Sequence, residues 1–191
     1  MVAILLKNLS ILPCHIDPPS QGLGFPHPSS GLFLPLKDVS IEARASAFAK
    51  WVSGYYKHGD LSSREFSQLN QHELDTTRKP TTDTIPFEEL LTIINSGPGP
   101  KYDTLLIEPE QLPVFMKQTT KALFDPEIRE SWGEHPVWIV YCEDGIWNVH
   151  YAAWNLEKMV KASEVNFKLI PGANHFVRLV WLFFFGPFKP L

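Results

Sequence analysis

The spacing of apolar residues changes partway along this chain, and the change divides it. From residue 40 to about residue 132 apolar positions recur at helical period. Ser40 can cap a helix whose one face carries Ile41, Ala45, Phe48, Val52 and Tyr55, with Gly59 as the predicted stop. A second short helix is expected over 62–71, carrying Phe66 and Leu69, followed by a polar loop over 75–84. Pro86 suits the first turn of a helix through Phe87, Leu90, Leu91 and Ile94, which Gly97-Pro98-Gly99-Pro100 would end. Residues 109–123 read as helical, with Pro113 near the start, and Asp125-Pro126 opens another short helix to about Trp132. No strand pattern and no internal repeat interrupts 40–132.

Beyond Pro136 the pattern is different. Val137-Trp138-Ile139-Val140-Tyr141-Cys142 is a short continuous apolar run, as expected of a strand buried on both faces of a parallel sheet. Glu143-Asp144-Gly145 follows, then a helix from about Trp147 to Lys161 with Val149, Ala152, Ala153, Leu156 and Val160 on one face. A strand over Val165–Ile170 then runs into the turn Pro171-Gly172-Ala173-Asn174-His175-Phe176. This order makes a βαβ unit with acidic residues and a histidine at the carboxyl ends of adjacent parallel strands, where ligands bind in open α/β sheets.

The two ends are less regular. Residues 1–17 are mostly apolar, close on Ile16-Asp17-Pro18-Pro19, and read as a strand or short helix rather than a signal peptide, because the charge follows the apolar run. Residues 18–39 are rich in Pro, Gly and Ser, yet Leu23, Phe25, Leu32, Phe33 and Leu34 argue for packing. The final stretch, Val177 to Phe188, has little amphipathic pattern and would expose much apolar surface if unpaired, so self-association through the C-terminus is expected.

Composition narrows the class. With 191 residues, 44% hydrophobic and 20% charged, the chain can bury a core. The net charge of −4 and scattered basic residues lack the electrostatic footprint of a nucleic-acid binder. No run approaches the roughly 20 apolar residues of a membrane span. Cys14 and Cys142 are far apart, and Cys142 lies in the apolar run, so a buried thiol and a reducing, cytoplasmic setting are expected. His15 and His27 lack metal-ligand spacing, and no metal or cofactor is expected.

The chemistry therefore centres on His175. A carboxylate beside it would hold one imidazole tautomer and let the ring take a proton from a nucleophile. Asp144 is the first choice for that acid and Glu143 the second. Asp17, at the end of the preceding strand, is the third, its other reading being an Asx-turn before Pro18-Pro19.

The order acid, helix, strand, histidine, together with the Pro-Gly-Ala-Asn-His-Phe turn, resembles the last third of α/β-hydrolases, whose triads run Ser, Asp/Glu, His. Ile16-Asp17-Pro18-Pro19 resembles the end of the strand before their helical cap, and the helical middle of the chain resembles the cap. The resemblance implies a partial α/β-hydrolase fold in three parts: a late sheet strand and Pro/Gly-rich loop over 1–39, a helical cap over 40–135, and a strand–helix–strand part over 136–191. It implies hydrolysis of ester-like or other acyl bonds in a small-molecule substrate, with His175 as base and Asp144 or Glu143 as orienting acid. The nucleophile elbow Gly-x-Ser-x-Gly is missing from the sequence. Ser53 and Ser96 are the serines nearest to glycines, and neither falls on a predicted strand-to-helix turn. By the family's order the nucleophile would lie upstream of Met1, so the chain resembles the carboxyl half of a hydrolase and is expected to be inactive alone. The alternative is a non-catalytic ligand- or protein-binding module. A third expectation is that so few strands leave sheet edges uncovered and the fold unstable.

Overall fold

A computed structural model of the chain describes residues 14–28, 41–93, 109–131, 137–160 and 165–176. Its sheet has three parallel strands in the order β1-β2-β3: β1 Cys14–Ile16, β2 Val137–Cys142 and β3 Val165–Ile170. Ile16 pairs with Val140, and Cys142 with Ile170, so all three strands end at one edge of the sheet. Between β1 and β2 come helices α1 (Ile41–Val52), α2 (Phe87–Ile93), α3 (Leu112–Phe124) and α4 (Pro126–Ser131). Helix α5 (Trp147–Met159) links β2 to β3. The chain is thus a small α/β protein.

β2 shows why the sheet holds. Val137, Ile139 and Tyr141 alternate along the strand and are buried, packing with Ala152, Ala153 and Leu156 of α5, with Leu123 of α3, and with Val165 of β3. Each large side chain so buried contributes about 2 kcal/mol. Trp138 and Val140, on the other face, are only half-buried, so β2 is not sealed on both sides as its unbroken apolar run suggested. Leu23 and Phe25 join the same core, which confirms packing for this part of the Pro/Gly-rich loop. Gly24 makes that possible: its φ is +82°, and a Cβ there would lie 2.2 Å from the backbone nitrogen of Met116.

A second core lies beside it, where Trp51, Val52, Tyr56 and Leu69 meet Ile146, Trp147, Val149 and Trp154. Here the chain departs from helical expectation. α1 stops at Val52, not near Gly59, because Tyr56 turns away to donate its N–H to the Asp144 carbonyl, 3.0 Å away. A continued helix would have used that N–H internally. The helix expected over 62–71 is instead two 3-10 turns, Leu61–Ser63 and Phe66–Gln68, broken where Arg64 takes a φ of +57°. The 75–84 loop holds a further turn, Thr81–Thr84, whose Thr81 and Thr82 are buried. The remaining helices and both later strands fall where the periodicity put them, within a residue or two at their ends. Residues 29–40, Ser96 and the apolar stretch from Val177 lie outside the described residues, so the expectations placed there go unaddressed. Among the described residues no helix is long and apolar enough to cross a membrane.

Candidate functional site

Three loops converge where the parallel strands end. Asp17 leaves β1 with a φ of +48°, a left-handed conformation that aspartate tolerates better than most residues. Its N–H donates to the Val140 carbonyl at 2.7 Å, and its Oδ1 accepts the Cys142 N–H at 2.8 Å. These two bonds sew the strand end to β2 and fix the carboxylate, which is only 1% exposed. Its other oxygen, Oδ2, lies 3.3 Å from Nδ1 of His175. Neither atom has a hydrogen-bond partner among the described residues, so the contact is an electrostatic pairing at 3.3 Å rather than a hydrogen bond. A bare Nδ1 lone pair facing that carboxylate would be repelled, so the proton belongs on Nδ1 and Nε2 keeps its lone pair. The imidazole is about one-quarter exposed (27%), enough to meet a reactant.

The acids after β2 face elsewhere. Asp144 pairs through Oδ2 with Arg78 and accepts nothing from His175. Glu143 accepts the Gly172 N–H through Oε2 at 2.8 Å. Both nevertheless shape the histidine turn. Asp144 N–H donates to the Ala173 carbonyl at 2.9 Å, Glu143 N–H to the Ile170 carbonyl at 3.0 Å, and Arg78 Nη2 to the Gly172 carbonyl at 2.7 Å. The Arg78 guanidinium also sits 3.5 Å from the centre of the Tyr55 ring. Gly172, at φ +65°, takes a turn conformation that strains other residues. The structure thus brings His175 together with Asp17, and holds Asp144 and Glu143 in the scaffold of the turn.

Asn174 was not singled out by pattern, and it is the strap that orients its neighbour. It is 1% exposed; Nδ2 donates to the Ser53 carbonyl at 2.6 Å and to Thr81 Oγ1 at 2.8 Å, while Oδ1 accepts the Phe176 N–H at 3.0 Å. Its sequence signal was only an amide beside a histidine. Ser53 is wholly buried, and its Oγ is 2.8 Å from Thr82 Oγ1. Among the described residues no hydroxyl or thiol hydrogen-bonds to His175. The Cys142 thiol is an unsuitable nucleophile: burial first, and then the Asp17 carboxylate, push its pKa up.

Around this site lies more buried polarity. Ser20 and Asn148 both reach Oε1 of Gln21, at 3.2 and 3.5 Å, and the Gln21 amide meets Nε2 of His27, whose pKa burial lowers. No group of His, Cys, Asp and Glu among the described residues is arranged to hold a metal ion. Compared with known proteins, the chain matches no family model, no curated protein and no solved structure.

Proposed function

We propose that this chain is an α/β-hydrolase-like protein in which His175 and Asp17 form the base and orienting acid of an acyl-transfer site. The observation that carries the reading is the pair itself: a buried carboxylate, held at one oxygen by the Cys142 N–H and set against the inner nitrogen of a partly exposed imidazole, both at the carboxyl ends of parallel strands. The outer nitrogen, Nε2, is then the proton acceptor for a nucleophile on the open side. The substrate class that suits it is a small molecule with an ester-like or other acyl bond.

The chain alone is proposed to be without hydrolytic turnover. It has no Gly-x-Ser-x-Gly, and Ser53 is committed to Thr82. Among the described residues no hydroxyl meets His175, so they offer no covalent route, and the oxyanion donors that accompany the elbow go with it. The same lack favours a second reading, a module that holds an acyl ligand beside His175 without cleaving it. Two assays on the 191-residue chain test this. A fluorophosphonate probe is expected to leave it unlabelled; stoichiometric labelling that disappears in His175→Ala would reveal a nucleophile and overturn the inactivity. Titration with a non-hydrolysable short-chain ester analogue is expected to move the NMR signals of His175 and Phe176. Resonances that stay put at millimolar analogue would remove the acyl-site reading in both forms.

A further inference from the structure

We propose that His58 and His150 form a pH-sensitive joint: mild acidification frees residues 55–70 from the β2–α5 loop and so loosens the platform under the histidine turn. The proposal is independent of any acyl chemistry. The two rings meet edge to face, with centroids 4.6 Å apart, and each has a fixed tautomer. The Asn70 N–H donates to Nδ1 of His58 at 2.9 Å, so that nitrogen must be unprotonated, and Nε2–H donates to the Gly145 carbonyl at 2.9 Å. His150 is 0% exposed, and its Nε2–H donates to the Glu143 carbonyl at 3.1 Å. Its Nδ1 has no hydrogen-bond partner among the described residues.

A second proton is therefore disfavoured on both rings. On His58 it would land where the Asn70 N–H already points. On His150 it would create a cation in a wholly buried ring whose Nδ1 has no hydrogen-bond partner among the described residues; the Glu143 and Cys142 carbonyls favour that cation, but burial outweighs them. The charged and titratable surroundings do not compensate. His150 faces His58, the Tyr141 and Trp154 rings and the field of Arg64, which is itself cationic. His58 faces the Tyr56 ring and feels the Asp144 carboxylate only as a lesser effect after burial. Burial chiefly, then His58, drives the His150 pKa from 6.5 down to about 3, and burial also lowers that of His58.

The open form binds the proton and the closed form does not, so closure is complete above about pH 6.5 and weakens as pH falls below it. The mechanical consequence follows from what the joint holds. His58 and Asn70 belong to the segment over 55–70, and the Glu143 and Gly145 carbonyls to the loop whose Glu143 and Asp144 brace Gly172 and Ala173.

Segment-resolved hydrogen exchange on the full chain tests this at about pH 7.5 and about pH 5, above the range where carboxylates titrate. After correction for intrinsic exchange, amides over 55–70 should open on the order of thirty-fold more at the lower pH from His150 alone, while those of β2 and β3 change little. The combined substitution His58→Gln with His150→Phe should abolish that difference. Should that variant not fold, the imidazole carbon resonances of the wild-type chain decide: His58 and His150 must take up protons in the step where 55–70 loses protection. Unchanged protection over 55–70, loss of protection by the whole sheet at once, a pH difference that survives in the variant, or rings still neutral in the opened segment would each overturn the joint.

Discussion

Two acidic corners flank the histidine turn, and they differ in what surrounds them. At the end of β1, Asp17 is 1% exposed and anchored by bonds from the Cys142 N–H and to the Val140 carbonyl. At the end of β2, Asp144 is 23% exposed, paired with Arg78, and reached by solvent. The buried corner aims a charge at His175; the wetter corner uses its charges to hold the turn that carries it. Sequence distance misleads here, because Asp144 is much nearer to His175 along the chain than Asp17 is. What decides is anchorage: a carboxylate held at one oxygen by backbone presents the other oxygen in a fixed direction.

Substitutions can break the comparison from either side. The largest effect is expected at Asp17→Ala, which leaves the buried Cys142 N–H unpaired and places alanine in a left-handed conformation; it should cost about 3 kcal/mol in denaturant unfolding. Asn174→Ala comes next, at about 2 kcal/mol, because it removes the donors to Ser53 and Thr81 and the acceptor for Phe176 together. Arg78→Ala should cost about 1 kcal/mol, since the guanidinium is partly exposed and its ion pair is screened. The smallest change is expected for Glu143→Gln, under about 0.5 kcal/mol, because the amide oxygen can still accept the Gly172 N–H. If Arg78→Ala or Glu143→Gln exceeded Asp17→Ala in the same assay, the wetter corner would be the structural keystone and the contrast would be reversed.

How much of this was legible depends on whether local or distant partners set the shape. β2, α5 and β3 were readable from apolar runs and helical spacing, since their cores are their own alternating faces. The segment over 54–84 was not. Its turns rest on short side-chain bonds such as Asp60 to the Ser62 N–H and Asp75 to the Thr77 N–H. Its path is fixed by distant ones, such as Tyr56 N–H to the Asp144 carbonyl. Such bonds leave no period in the sequence. His175 was readable as the polar tip of a strand-ending turn. Its pairing with Asp17 was visible only as the third of three choices, because it depends on the register of β1 against β2, which puts Asp17 beside the end of β2. The alternative role weighed for Asp17, a local turn before Pro18-Pro19, drew on the same residue type.

The most direct test is the tautomer of His175, read by long-range proton–nitrogen NMR at neutral pH in the wild-type chain, in Asp17→Asn and in Asp144→Asn. With Asp17 as partner, the wild-type ring carries its proton on Nδ1, and Asp144→Asn leaves it there. Asp17→Asn turns an amide N–H toward Nδ1 and moves the proton to Nε2. A ring that keeps Nδ1–H in Asp17→Asn, or one that switches only in Asp144→Asn, would contradict the assignment of Asp17 as the acid that orients His175.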